Sequence, residues 1–188
     1  MRIGLYFGSF NPIHNGHIGL ANYLLNSDLE EVWLVVSPQN PLKKSKELLD
    51  DELRLEMARL SVANTPKIKV CDVEFGLPKP SYTIHTLDYL STHFPEAEFV
   101  LLIGADNVSI FHHWKSYERI LEKYTVWVYP RQGFPNSSEE FPTMRFIDAP
   151  LFDISSTEIR ERLKTGEDCS KLVPADVLHF IHTHHLYN

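Results

Sequence analysis

Apolar, β-branched runs alternate along the chain with stretches of helical period. "RIGLYF" precedes "GHIGLANYLLN", "EVWLVV" precedes "DDELRLEMARLSVAN", "KIKVCDV" precedes "SYTIHTLDYLSTHF", and "EFVLLI" precedes "SYERILEKY", with "TVWVYP" and "MRFIDA" following. Strands alternating with helices build parallel βαβ units. The strands are apolar nearly throughout, as a sheet covered by helices on both faces requires. On the helices the apolar positions recur at three and four, as at Leu53, Met57 and Leu60 or Ile84, Leu87 and Leu90, so each turns one stripe to the sheet. The pattern predicts a doubly wound α/β domain with a parallel, Rossmann-like sheet. Two short C-terminal helices close it: "SSTEIRERLK", stopped by Gly166, and "PADVLHFIHTHH", with Pro174 in its first turn. The segments "SPQNPLKKSKE" and "RQGFPNSSEEFP", rich in Pro, Ser and Asn, read as loops; the first carries Lys43, Lys44 and Lys46.

Composition narrows this picture. The 188 residues suit one domain, 1–188, that buries roughly 70% of its unfolded surface. Cys71 and Cys169 are the only cysteines, too few for a disulfide framework, which points to a reducing, cytoplasmic compartment. No apolar run is long enough for a signal peptide or a membrane span, so no membrane partner is expected. A formal charge of −7 opposes a broad grip on nucleic acid. Any phosphate the chain binds must be met locally.

In doubly wound sheets ligands sit beyond the carboxyl ends of the strands where the strand order reverses, commonly beside the first strand. The stretch "YFGSFNPIHNGH", Tyr6 to His17, lies there. Its chain must turn sharply into a helix, and Gly8 and Gly16 permit backbone angles and close approach that a Cβ would block. A helix start offers free N–H groups and a positive dipole end. His14 and His17, three apart, can project toward the same anion, and phosphate nearby would raise their pKa above about 6.5. The competing reading gives Gly8 a turn, one histidine the helix cap and the other a surface position. The location of the pair on the ligand-binding turn favours the anion site.

Other residues carry two readings each. "SSTEIR" forms a capping box, with Ser155 as N-cap and Glu158 three residues on. Arg160 opposes the dipole of that helix unless an anion lies between them. Asp106, after the strand ending in "IGA", caps a helix or accepts hydrogen bonds from a ribose. Trp114 is core or a stacking platform. His179, His182, His184 and His185 near the end have metal-like spacing, but no cysteine or carboxylate completes a site, so they read as an exposed helix face with no metal.

"GSFNPIHNGH" resembles the G-x-F-x-P-x-H-x-G-H signature of the HxGH nucleotidyltransferases. With "GADN" after the fourth strand, "SYT" at a helix start, Trp114, "ISSTEIR" and a closing "LY", the chain is similar over nearly its whole length to bacterial nicotinate mononucleotide adenylyltransferases. It departs in having Asn11 where Asp is frequent, and Pro41-Leu42-Lys43 in place of "PHK". The resemblance implies catalytic roles for His14, His17, Lys43 and Arg160. It implies an ATP site of Gly8, Ser9, Phe10, His14, Gly16, His17, Gly104, Asp106, Ile154, Ser155, Ser156, Thr157 and Arg160. It further implies a nicotinate mononucleotide site of Ser9, Lys43, Tyr82, Thr83, Trp114 and Arg131, with Trp114 stacked on the pyridine ring.

ATP and nicotinate mononucleotide are then the expected partners, a homo-oligomer is possible, and Mg²⁺ is expected to enter bound mainly to ATP, because the sequence shows no carboxylate cage. Two rival readings stand. Phosphopantetheine adenylyltransferase has a similar signature, usually with threonine at the position of His14. A regulatory domain could hold ATP without turnover.

Overall fold

The computed structural model describes residues 1–38 and 48–188. Lys43, Lys44 and Lys46 lie outside the described residues. Six parallel strands, β1 (Arg2–Gly8), β2 (Glu31–Val36), β3 (Ile68–Cys71), β4 (Glu98–Gly104), β5 (Thr125–Tyr129) and β6 (Arg145–Phe146), form one sheet in the order β3-β2-β1-β4-β5-β6. The chain runs outward from β1 to β3, then crosses back to β4 on the other side of β1. The β1/β4 junction is therefore the place where the strand order reverses, and its carboxyl ends are Gly8 and Gly104.

Alternation along the strands feeds two cores. Ile3, Leu5, Val35, Leu101 and Val128 face one side, beneath α4 (Thr83–His93) and α5 (Tyr117–Lys123). Tyr6, Leu34, Leu102 and Trp127 face the other, beneath α1 (Asn15–Leu25), α2 (Asp51–Val62), α6 (Ser156–Lys164) and α7 (Ala175–Thr183). A one-turn helix, α3 (Val73–Gly76), follows β3.

Most expected elements are present, and the differences have causes. On α4 the stripe Ile84, Leu87 and Leu90 is buried as expected. On α2 Met57 is buried and Leu53 and Leu60 pack against the same core, as expected, and the buried face also takes in Arg54, Leu55, Ala58 and Val62, because α7 packs against this helix as well as the sheet. Ser116 takes a left-handed φ of 54°, so α5 begins one residue later than its sequence suggests. Gly166, at φ 72°, ends α6 where a glycine stop was expected.

The stretch Ala105–His113, to which the sequence pattern assigns no helix, is a 3-10 helix. Its apolar residues Ala105, Val108 and Phe111 recur every three positions, the spacing that a three-residue turn eclipses. His179 and His182 on α7 and His184 and His185 just after it are exposed, as expected of a solvated face. Among the described residues no helix is long and apolar enough to cross a membrane.

Candidate active site

The signature turn leaves β1 at Gly8 and enters α1 through His14, whose extended backbone (φ −147°, ψ 171°) makes it the N-cap. His14 Nδ1 accepts a hydrogen bond from the His17 amide at 3.3 Å, and His17 Nδ1 accepts one from the His14 amide at 3.2 Å. Two imidazoles thus form a reciprocal capping box, a task usually given to serine and glutamate. The capping reading and the anion-site reading are compatible, because each ring spends only Nδ1 on the helix. With both Nδ1 atoms accepting, each neutral ring carries its proton on Nε2 and presents a donor there. The rings stack at 3.6 Å, and Phe10 and Tyr6 meet His17 edge-on at 5.0 and 6.0 Å. Neither histidine is a free surface residue; His14 is 4% exposed.

The expected rise in imidazole pKa belongs to a site that holds phosphate; the protein's own surroundings push both rings the other way. Burial, followed by the Arg131 charge, pushes His14 down to about 4. Burial, then His14 and Arg131, also hold His17 well below its ordinary value. Both rings are neutral donors at pH 7.

Around them opens a cleft of about 370 Å³, lined on its polar side by His14, His17, Asp106, Arg131 and Ser155, with Gly16 and Ile154. Tyr6 and Tyr129 form its floor, and Phe134, Leu151 and Phe152 add apolar wall. Arg131 Nε lies 3.4 Å from Asp106 Oδ1 and its guanidinium 5.5 Å from the centre of the Tyr129 ring. The 3-10 helix takes Gly104 as its N-cap, and Asp106 lies within its first turn rather than at the cap position. A Cβ on Gly104 would collide with Asp106 Oδ1 and come within 3.1 Å of Arg131 Nε.

The glycines of the turn act through space rather than through special dihedrals. A Cβ on Gly16 would press the His14 ring at 3.0 Å, and one on Gly8 would meet the Phe10 ring at 2.9 Å. The left-handed residue of the turn is Phe10, at φ 46°. Phe10 is 1% exposed as a whole residue and its ring backs His17, so it supports the site from behind.

At α6, Ser155 is the N-cap and accepts from the Glu158 amide at 3.1 Å. The return half of the expected box is not made, because the Glu158 carboxylate pairs with Arg162 at 2.7 Å. Ser156 Oγ donates to Pro12 O at 2.9 Å, and Arg160 donates to Asn11 O at 2.9 Å and to Thr157 Oγ1 at 3.4 Å. Ile154 and Ser155 reach the cleft, whereas Ser156 and Arg160 lash α6 to the back of the signature turn.

The residues expected to hold the acceptor form a second group. Tyr82 precedes α4, and its ring lies 4.6 Å from Lys115 Nζ. Next to Lys115, Trp114 is half-buried against Phe111 at 5.0 Å, and its Nε1 has no hydrogen-bond partner among the described residues. Thr83 is the first residue of α4. The 3-10 helix joins the two groups, with Asp106 in the cleft at one end and Trp114 at the other. Arg131, expected beside the acceptor, lines the cleft with His14, His17 and Asp106.

A family model described as cytidylyltransferase-like matches residues 5–162. A Flavobacterium psychrophilum protein named "Probable nicotinate-nucleotide adenylyltransferase" is 46% identical over 191 residues, covering 100% of this chain and 99% of its own. A protein of the same name from Cytophaga hutchinsonii is 46% identical over 190 residues, again covering 100% of this chain and 99% of its own. The chain belongs to the nicotinate-nucleotide adenylyltransferase family. It is a nucleotidyltransferase. The fold agrees: a Plasmodium falciparum nicotinic acid mononucleotide adenylyltransferase complexed with NaAD superposes with a TM-score of 0.82 at 22% identity, covering 99% of this chain and 97% of that one.

One residue of this family member escaped the sequence reading. Arg54 is 0% exposed and donates to Ser9 O at 2.6 Å, Ser37 O at 2.8 Å and Leu49 O at 2.8 Å, while its other nitrogen pairs with Asp51 at 2.6 Å. One guanidinium therefore ties the signature turn to the end of β2 and to the approach of α2. The signal was present: Arg54 stands three and four residues before Met57 and Ala58, on the buried stripe, where a charge survives only with partners.

Proposed function

We propose that the chain transfers the adenylyl group of ATP to nicotinate mononucleotide, forming nicotinate adenine dinucleotide and releasing pyrophosphate, as a step of NAD biosynthesis. The observation that carries this reading is the cleft at the β1/β4 junction, where the stacked His14 and His17 rings present two Nε2–H donors beside Arg131.

The phosphate of nicotinate mononucleotide is already an anion, so it attacks the α-phosphorus of ATP in line, the bond to the bridging oxygen breaks, and pyrophosphate leaves without a general base. Charge repulsion and misalignment are what slow such a reaction, and positioning with electrostatic stabilisation relieves them. His14 and His17 stabilise charge at the α-phosphate and its leaving oxygen, Arg131 adds a full charge, and the free amides at the start of α6 receive the outer phosphates. Arg160 supports that end by holding α6 to Asn11, and Lys43 completes the set from outside the described residues. Asp106 accepts from a ribose once Arg131 turns to phosphate.

Among the described residues no three His, Cys, Asp or Glu side chains converge as ligands. That donor set suits a Mg²⁺ carried by the phosphates of ATP, which supplies charge neutralisation when bound. The free cysteines fit a cytoplasmic enzyme, and the net charge of −7 leaves its anionic substrates to be met by local donors.

The acceptor is read at Tyr82, Thr83 and Trp114. The start of α4 points its first main-chain amides away from the helix, where they favour a carboxylate over a neutral amide, and each lost hydrogen bond to a charged group costs roughly 1.5 to 3 kcal/mol. The expected result is a kcat/KM for nicotinate mononucleotide at least about tenfold above that for nicotinamide mononucleotide, with Trp114→Ala weakening both acceptors far more than ATP. Pyrophosphate release, measured with ATP and each mononucleotide and with phosphopantetheine, tests both levels. Equal efficiency on the two mononucleotides overturns the carboxylate pocket alone. No release with any acceptor reduces the protein to a nucleotide-binding domain.

A further inference from the structure

The signature turn is held from behind by side chains far away in sequence. Ser9 O receives Arg54, Asn11 O receives Arg160 and Pro12 O receives Ser156. The Asn11 side chain is buried beneath the turn, and its Oδ1 accepts from the Leu49 amide at 3.3 Å and from the Tyr187 hydroxyl at 2.8 Å.

Tyr187 reaches that position through an unusual exit from α7. The Leu186 amide donates back to Ile181 O at 3.0 Å and the His185 amide to His182 O at 3.3 Å, the paired bonds of a Schellman ending. His185 fills the left-handed position of this motif at φ 52°, where glycine is usual, and Tyr187 is left-handed again at φ 64°. Two non-glycine residues in that region within three positions persist only where the surroundings over-determine them. Here those surroundings include the burial of Leu186 in the core and the bond to Asn11. Burial holds the Tyr187 hydroxyl above its ordinary value, against the opposing charges of Arg160 and Arg54, so it stays a donor.

We infer that Tyr187 is a positioning residue for the nucleotide site, fixing the Asn11 peptide on which Arg160 rests and thereby the placement of α6 against His14 and His17. The hydroxyl pins Asn11 Oδ1, the Asn11 carbonyl holds Arg160, and Arg160 with Ser156 keeps the first turn of α6 at the cleft. The inference rests on the adenylyl-transfer reading only for the identity of its ligand, ATP.

The test removes one atom. In Tyr187→Phe the ring and its packing remain, and the expected result is about fivefold weaker ATP binding by titration calorimetry, an equal rise in the KM for ATP, and an unchanged KM for nicotinate mononucleotide. A merely structural hydroxyl would lower the melting temperature and leave the ATP affinity untouched. In a cycle with Asn11→Ala the two effects on ATP affinity should not add, since both break one contact. Wild-type ATP affinity in Tyr187→Phe, or full additivity, overturns the assignment. Should Asn11→Ala fail to fold, Tyr187→Phe alone decides. ATP binding is read without acceptor, so a wild-type protein that binds ATP and releases no pyrophosphate refutes the transferase reading and leaves this test standing. One that does not bind ATP overturns both.

Discussion

Replacing His17 by alanine is expected to lower kcat by on the order of a hundredfold or more, the effect of losing one donor aimed at transition-state charge, about 3 kcal/mol. The ring carries two jobs that one substitution removes together. Its Nε2–H faces the cleft, and its Nδ1 accepts the His14 amide in the capping box. Loss of a cap costs about 1 kcal/mol, enough to move the melting temperature by a few degrees and far too little to abolish turnover. His17→Asn separates the two, because an amide oxygen can still accept the His14 N–H while the imidazole is gone. Turnover should stay low in the asparagine variant while its thermal stability recovers. Near-normal kcat in both variants would mean that the stacked histidines are a helix cap and nothing more.

Arg54→Met should be the most destabilising single change in the turn's support, by about 3 to 5 kcal/mol in urea denaturation. Methionine fills the volume but donates nothing, so Ser9 O, Ser37 O and Leu49 O lose their charged partner inside the protein. Asp51 is better off, since it keeps Lys79 at 3.2 Å. The measured loss therefore comes mainly from orphaned carbonyls, which cost more than the net worth of the bonds that satisfied them. A loss below about 1 kcal/mol would show that water or a rearranged backbone satisfies those groups instead.

The same two residues mark how far the sequence could be read. The strand and helix order, and the placement of His14 and His17 at the mouth of the sheet, follow from local pattern and a topological rule, and the structure agrees with both. What needed tertiary information was environment. The charge state of the histidines depends first on burial that no local window reports, and then on charges that include Arg131, more than a hundred residues away. The buried face of α2 is wider than its period suggests, because α7, from the far end of the chain, covers a second side of that helix. The 3-10 helix was legible in principle, in the spacing of Ala105, Val108, Phe111 and Trp114, but a search tuned to periods of 2 and 3.6 passes over a period of three. The acceptor side was read through resemblance; the structure sets Tyr82 against Lys115, the neighbour of Trp114, and puts Arg131 in the cleft with His14, His17 and Asp106.

The two neutral rings of the capping box leave a mark in calorimetry. A triphosphate entering the cleft favours the charged form of each imidazole that it meets, so nucleotide binding draws protons from the buffer. Observed binding heats should then change with the ionisation enthalpy of the buffer, with a slope that reports protons taken up. By linkage the affinity for ATP rises as pH is lowered from 7 toward 5, opposite to the trend of a site whose cations are already formed and whose ligand gains protons instead. A pair of histidines that caps a helix thereby makes the solution's acidity a co-ligand of the nucleotide.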